Sequence, residues 1–369
     1  MQPPQRAGDV SAAVESVLTA ELAVRRAEVA AIDPRLTDDV DRLIRYLFAG
    51  GKRLRPRFLC AGWQAATVGT TAVPAGVMKA AAALELIQAC ALIHDDIIDR
   101  SDTRRGSPSV HRLVHKLHAD RGWFGDPAHF GLSTALLLGD LALAWADDLF
   151  ATGLAELGWP VEALAAWRAM RTEVLAGQLL DLRITADQAV DTDGAAADAM
   201  VVNRYKTAAY TVERPLHIGA ALAGAPSATI AALRRYGTAI GLAFQLRDDL
   251  LGVFGNPAVT GKPTGDDLIE GKRTVLLAMA RSALTGSPAL LAELDEGVGT
   301  ALGPAQVDRL TRLVAQTSAP DAIEARIAEL LRTGLDALAA VDAAGDQLIT
   351  ATAGADLRGL AFAATTRVR

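Results

Sequence analysis

Residues 84–108 read LELIQACALIHDDIIDRSDTRRGSP, the pattern of a helix that stays apolar to Ile93 and then turns acidic. Residues four apart share a helical face, so Asp95 and Asp99 point one way with Asp96 beside them. Three carboxylates closing an apolar helix repel one another and are costly without a counter-charge. Hard divalent cations such as Mg²⁺ suit such a set, because they take oxygen ligands and keep other positions for waters and phosphates. Arg104 and Arg105 follow at once, forked donors shaped for phosphate oxygens. Taken alone, a solvated acidic helix end and a basic turn explain the same letters. The rest of the chain decides between the two accounts.

Outward from this stretch the chain reads as helix almost throughout. Apolar residues recur at helical spacing over residues 10–32 and 38–49, and aromatics are only 5% of the sequence. Prolines fall mostly between these windows, at Pro34, Pro56, Pro74, Pro108, Pro127, Pro160, Pro226, Pro288, Pro304 and Pro320. Strand-like alternation is scarce. Residues 1–10 are expected to be disordered, residues 186–194 to form a loop, and residues 11–369 to make one all-α domain, a large helical bundle around a central cavity. The 369 residues are 51% hydrophobic, enough for a substantial core, and a formal charge of −6 argues against nucleic acid as a partner. Cys60 and Cys90, in apolar helical contexts, suggest no disulfide framework and fit a reducing cytoplasm. The N-terminus lacks a signal-peptide layout, and no uninterrupted apolar run is long enough to predict a membrane span.

Before the acidic helix comes GGKRLRP, residues 50–56. Its two glycines free the backbone to turn, and Lys52, Arg53 and Arg55 follow within four residues, a cation-dense turn able to clamp a diphosphate. A basic helix start on a solvated face is the alternative. On the acidic helix, Gln88 and Ala91 lie near the carboxylate face, flanked by Ile87 and Cys90. The small Cys90 and Ala91 leave room for an apolar tail running down the helix, and ordinary helix packing explains them equally well. Further on, Gly177, Gln178 and Asp181 sit in a mostly apolar helix, and YKTAAYT brings Lys206 beside Thr207.

A second acidic cluster then appears in FQLRDDLLGVFG, with Gln245, Asp248 and Asp249, followed by TGKPTGDDLIEGKRT, with Lys262, Asp266, Asp267 and Lys272. Two acidic clusters far apart in sequence, each ending an apolar helix and each near cations, are far more specific than one. Facing each other in a bundle, they would hold several Mg²⁺ ions and one diphosphate between helices.

With these blocks in this order, from about residue 43 to 277, the chain resembles the trans-isoprenyl diphosphate synthases, or polyprenyl synthetases. GGKRLRP resembles the homoallylic-site motif and HDDIIDRSDTRRG the first aspartate-rich motif. GQLLD, YKTA, FQLRDD and GKPTGDD–GK resemble the remaining active-site blocks. The resemblance implies the isoprenoid synthase fold, a homodimer, and about three Mg²⁺ ions per active site. By it, Asp95, Asp99 and Asp248 would be the main metal ligands, supported by Asp96, Asp249 and Asp266. Lys52, Arg55, Gln88 and Arg105 would hold isopentenyl diphosphate; Arg104, Lys206, Lys262 and Lys272 would hold the allylic diphosphate. The Lys206 carbonyl, the Thr207 hydroxyl and Gln245 would steady an allylic cation.

Two departures stand out. The second motif ends in Gly252 where many members carry aspartate, and Gln88 stands where many bacterial members carry histidine. Members that stop at fifteen carbons typically place an aromatic residue where this chain has Cys90 or Ala91. Geranylgeranyl diphosphate is therefore the expected product, with Ile87, Cys90 and Ala91 as the chain-length positions. A longer chain (twenty-five carbons or more) or farnesyl diphosphate is the alternative. A terpene cyclase would not need the second diphosphate clamp, and a non-catalytic subunit should have lost aspartates or clamp cations.

Overall fold

Helix follows helix along the described residues, because alanine and leucine dominate the sequence and most prolines sit at helix starts. The computed structural model describes residues 7–67, 72–104, 106–186, 194–256 and 264–366. The helices are α1 (Ala7–Ile32), α2 (Thr37–Phe48), α3 (Leu54–Ala66), α4 (Ala75–Ile98), α5 (Val110–Asp120), α6 (Pro127–Glu156) and α7 (Val161–Ala186). Then come α8 (Ala195–Val202), α9 (Arg214–Leu222), α10 (Ser227–Phe254), α11 (Asp266–Glu270), α12 (Val275–Ala283), α13 (Pro288–Gly297), α14 (Pro304–Ala315), α15 (Ala319–Ala337) and α16 (Ala351–Thr365). The all-α expectation holds. The strands described are a two-residue pair, Thr103–Arg104 and Ser107–Pro108, an antiparallel hairpin just after α4.

Helix α1 already runs from Ala7, so the last four of the ten residues expected to be disordered are helical, and residues 1–6 lie outside the described ones. The loop expected at 186–194 is bracketed by the end of α7 at Ala186 and the start of α8 at Ala195; residues 187–193 are outside the described set. Capping explains several starts. Asp126 accepts a bond from the Ala128 amide with Pro127 at the first turn of α6, and the Thr274 and Thr350 side chains cap α12 and α16.

Helix α4 is apolar all round and is a core helix, packed along α6 more extensively than along any other element. Buried side chains gather in three clusters among the described residues. The largest joins α1–α4 to α6 and α7, the second surrounds the end of α10 and α12–α15, and the third ties α3 to α9, α10 and α16. Both α4 and α6 are long and apolar enough to cross a membrane by length and composition. The apolar window of α4 is 78% buried within the fold, whereas that of α6 is only 33% buried. Leu136 and Leu137 on α6, and Leu175, Leu179 and Leu182 on α7, are exposed apolar side chains.

Between α8 and α9 the helix does not break but widens into a π-helical stretch, Asn203–Glu213. Wide turns of this kind are rare and tend to occur at functional sites. This one is wedged between α7 and α10. A Cβ on Gly177 of α7 would stand 2.5 Å from the Lys206 amide nitrogen, so only glycine lets α7 approach the π turn this closely.

Candidate functional site

Both acidic clusters end helices at their C-termini, where the helix dipole disfavours negative charge. Carboxylates there need cations. Helix α4 stops at Asp99, with Arg100 turned to a left-handed φ of 55°, which directs the chain into the hairpin carrying Arg104. Arg104 returns to the helix end: its Nε donates to Asp96 Oδ1 at 2.7 Å, and its Nη2 lies 3.3 Å from Asp95 Oδ2. Asp96 is 1% exposed and also accepts from Tyr46, so the structure gives it to Arg104 rather than leaving it facing outward with Asp95 and Asp99.

From the π turn, Lys206 places Nζ 2.7 Å from Asp181 Oδ2 on α7 and 3.3 Å from Asp95 Oδ1. Lys272, just beyond α11, sits 2.7 Å from Glu270 and 3.6 Å from Asp99 Oδ2. These cations change the acidity of the cluster. Burial pushes the Asp95 carboxyl up, but Lys206, Lys272 and Arg104 together outweigh it and hold the group below the usual range. Asp99 is raised by burial and by the charge of Asp95, and Asp96 by burial despite Arg104.

The α10 end is built differently. Asp249 is buried and takes hydrogen bonds from Gln245 Nε2 at 2.8 Å and Asn203 Nδ2 at 3.4 Å. Burial pushes its carboxyl up to about 7, with Asp267 and Asp248 adding to the shift. Asp248 lies one residue before it on the half-exposed side, and Asp266 opens α11.

Do these residues fit a divalent cation? Asp95 Oδ1 and Asp99 Oδ2 are buried, and among the described residues neither receives a hydrogen bond. They face the ammonium groups of Lys206 at 3.3 Å and Lys272 at 3.6 Å, and carboxylate oxygens four residues apart on one helix face are ligands that a hard cation takes. No three acidic, histidine or cysteine side chains among the described residues form a complete cage for one ion. Mg²⁺ suits such an open arrangement, since it is usually held by one or two carboxylates with phosphate oxygens and waters completing the shell.

The basic loop packs against the middle of α4, at Glu85. Gly50, Gly51 and Arg53 all have left-handed φ, at 106°, 119° and 48°. Arg53 holds this strained turn down: it is 4% exposed and donates to Glu85 Oε2 at 2.7 Å and to the Leu47 carbonyl at 3.2 Å. One turn along α4 from Glu85, Gln88 Oε1 accepts from the Tyr210 hydroxyl at 2.8 Å, which leaves its amide nitrogen to donate elsewhere. Arg55 stacks over the Tyr210 ring at 4.2 Å and donates to Thr211 at 2.8 Å, while its buried Nε has no hydrogen-bond partner among the described residues. Lys52 is exposed at the loop tip. A cavity of ≈ 10 Å³, room for about one water, lies between Tyr46, Arg53, Glu85 and Gln88.

The structure thus brings Asp95, Asp96, Asp99, Arg104, Lys206 and Lys272 into one network, and Arg55 and Gln88 into a second. Thr207 is half-buried beside Lys206 on the π turn. Ile87 and Cys90 are buried on α4, with Cys90 Sγ 3.6 Å from His94 Nδ1, and Ala91 is half-buried. Arg105 and Lys262 lie outside the described residues. Sequence reading missed Arg53–Glu85, Tyr210 and the pairing of Asp181 with Lys206. The signal for the first was present, because a glutamate inside an apolar core helix requires a buried partner.

The sequence profile of the polyprenyl synthetase family matches residues 37–311. A geranylfarnesyl diphosphate synthase of Aeropyrum pernix is 32% identical over 310 residues, covering 82% of this chain and 88% of that protein. A geranylgeranyl diphosphate synthase of Mycobacterium tuberculosis is 35% identical over 257 residues, covering 68% of this chain and 67% of that protein. Among solved structures, a geranylgeranyl pyrophosphate synthase from Corynebacterium glutamicum, crystallised with isoprenyl diphosphate and magnesium, superposes with a TM-score of 0.90 at 45% identity over 100% of both chains.

Proposed function

The chain belongs to the polyprenyl synthetase family and is a trans-prenyltransferase with the isoprenoid synthase fold, and from that premise we propose that it condenses isopentenyl diphosphate with dimethylallyl, geranyl and farnesyl diphosphates to make geranylgeranyl diphosphate. The observation that carries this reading is Lys272. It lies 3.6 Å from Asp99 of α4, while Asp267, five residues earlier, rests against α10, so the two acidic helix ends border one space. The relatives named for twenty-carbon and twenty-five-carbon products support the reaction class.

Asp95, Asp99 and Asp248 offer oxygens to Mg²⁺, with Asp249 and Asp266 behind them and Asp96 acting through Arg104. When bound, Mg²⁺ neutralises charge on the departing diphosphate. Arg104, Lys206, Lys262 and Lys272 hold that diphosphate and stabilise the ionising transition state electrostatically. Lys52, Arg55, Gln88 and Arg105 hold isopentenyl diphosphate with its double bond towards the allylic carbon. The Lys206 carbonyl, Thr207 and Gln245 steady the allylic cation, the surrounding apolar helices exclude water, and the proton lost in the final step passes to the released diphosphate. No Ser–His–Asp or Cys–His arrangement is needed.

Small side chains at Cys90 and Ala91, with Ile87 a turn further from Asp95, let the product grow past fifteen carbons. The exposed leucines of α6 and α7 suit a second copy of the chain, making a homodimer. Free, buried Cys60 and Cys90 suit the cytoplasm.

The test is incubation of purified protein with labelled isopentenyl diphosphate and each primer, with and without Mg²⁺, sizing the dephosphorylated products. A Mg²⁺-dependent twenty-carbon alcohol, shortened in Cys90→Phe, is expected. No elongation from any primer would overturn the reading, and an unchanged product from Cys90→Phe would remove the chain-length assignment.

A further inference from the structure

The two acidic ends are unequal in sequence. The first carries carboxylates at Asp95, Asp96 and Asp99, positions i, i+1 and i+4; the second has Asp248, Asp249 and then Gly252. Glycine inside a helix costs roughly 0.5–1 kcal/mol against alanine, and nothing in the backbone of α10 asks for it, since Gly252 keeps a helical φ. What asks for it is space. A Cβ on Gly252 would stand 2.0 Å from Oδ2 and 2.3 Å from Cγ of Asp267. The carboxylate of Asp267 therefore fills the volume that a side chain at position 252 would take, one helical turn from Asp248 on the same face.

The local chain is shaped to deliver it. Gly265, at a left-handed φ of 74°, starts the short helix α11, and Gly271, at 71°, ends it. Between them Asp267 is turned inward, 7% exposed, and the Lys272 amide donates to its carbonyl oxygen.

We propose that Asp267 is the third carboxylate of the second acidic end: it takes the place left by Gly252 and, with Asp248, presents oxygen to Mg²⁺ bound with a diphosphate. The carboxylate triplet that one helix supplies at α4 is supplied at α10 by two elements. This inference rests on the prenyltransfer reading above, so its test is read by binding as well as by turnover.

Wild type, Asp267→Asn, Asp267→Gly and Gly252→Asp/Asp267→Gly are titrated with Mg²⁺ in the presence of inorganic diphosphate, following the thermal midpoint, with the metal-free midpoint as the measure of folding. Asp267→Asn is expected to raise the Mg²⁺ concentration for half-maximal stabilisation on the order of 10–100-fold, while KM for isopentenyl diphosphate stays near the wild-type value. Returning the carboxylate to α10 in the double variant is expected to recover most of the loss seen in Asp267→Gly. If Asp267→Asn does not fold, that pair alone decides. A wild-type Mg²⁺ response in Asp267→Asn, or no recovery in the double variant, overturns the proposal. Elongation by wild type in the same preparation reports separately on the prenyltransfer reading, which can fail while the binding shift remains.

Discussion

The C-terminal ends of α4 and α10 begin with the same two letters, Asp–Asp, and solve the same electrostatic problem in opposite ways. At α4 the charge is met by charge: Arg104, Lys206 and Lys272 surround Asp95 and Asp99, and Asp95 is held below the ordinary carboxylate range. At α10 the innermost carboxylate, Asp249, is buried against the neutral donors Gln245 and Asn203, and burial raises it to about 7. The cation-compensated end keeps Asp95 favoured as the anion; the amide-compensated end spends one carboxylate on structure. That difference explains why the second end would recruit Asp267 from another element.

The largest effect expected is loss of the carboxylates that face the space in both ends. Asp95→Ala and Asp248→Ala should each lower kcat by about a thousand-fold, several kcal/mol of transition-state stabilisation, measured by labelled elongation. Equal losses would show that the two ends act on one diphosphate, whereas a mild Asp248→Ala variant would break the symmetry. Next come the compensating groups. Lys206→Met should cost roughly a hundred-fold in kcat with little change in stability. Gln245→Leu should lower kcat and, unlike Lys206→Met, also lower stability by about 1–3 kcal/mol, by leaving a buried carboxylate short of a donor, read by denaturant unfolding. If Gln245→Leu lowers kcat as far as Lys206→Met and leaves stability intact, the contrast drawn here is wrong.

The smallest effect belongs to neither end and gives the baseline. Burial, with Arg214 and Arg234 nearby, depresses His217 to about 4, and its Nδ1 accepts from Arg214. A depressed histidine adds stability that is complete above its unfolded pKa of about 6.5 and is lost as pH falls through about 4. His217→Gln should flatten the fall in stability between those values by about 1–2 kcal/mol, allowing for its partial exposure, with activity at neutral pH retained.

Much of this was legible in the letters. Helical periodicity and prolines at helix starts foretold the bundle, and the two acidic helix ends single out Asp95, Asp99 and Asp248 as the residues to test. Local patterns say nothing about which distant groups will meet. Asp96 looks like its neighbours in sequence, yet Arg104 and Tyr46 claim it from other elements. Nothing in the letters pairs Lys206 with Asp181, which meets it only because Gly177 lets α7 come alongside. Gly252 reads as a lost carboxylate, because the residue that fills its place is fifteen positions away and arrives only when α11 folds back.

The most direct test is a crystal structure with Mn²⁺ in place of Mg²⁺ and an unreactive allylic diphosphate analogue, locating the ions by anomalous scattering. Metal at Asp95 and Asp99, and a further ion between Asp248 and Asp267 on the same diphosphate, is the predicted result. Metal confined to the α4 end, with Asp248 and Asp267 turned away from the analogue, would contradict the claim that the two acidic ends form one site.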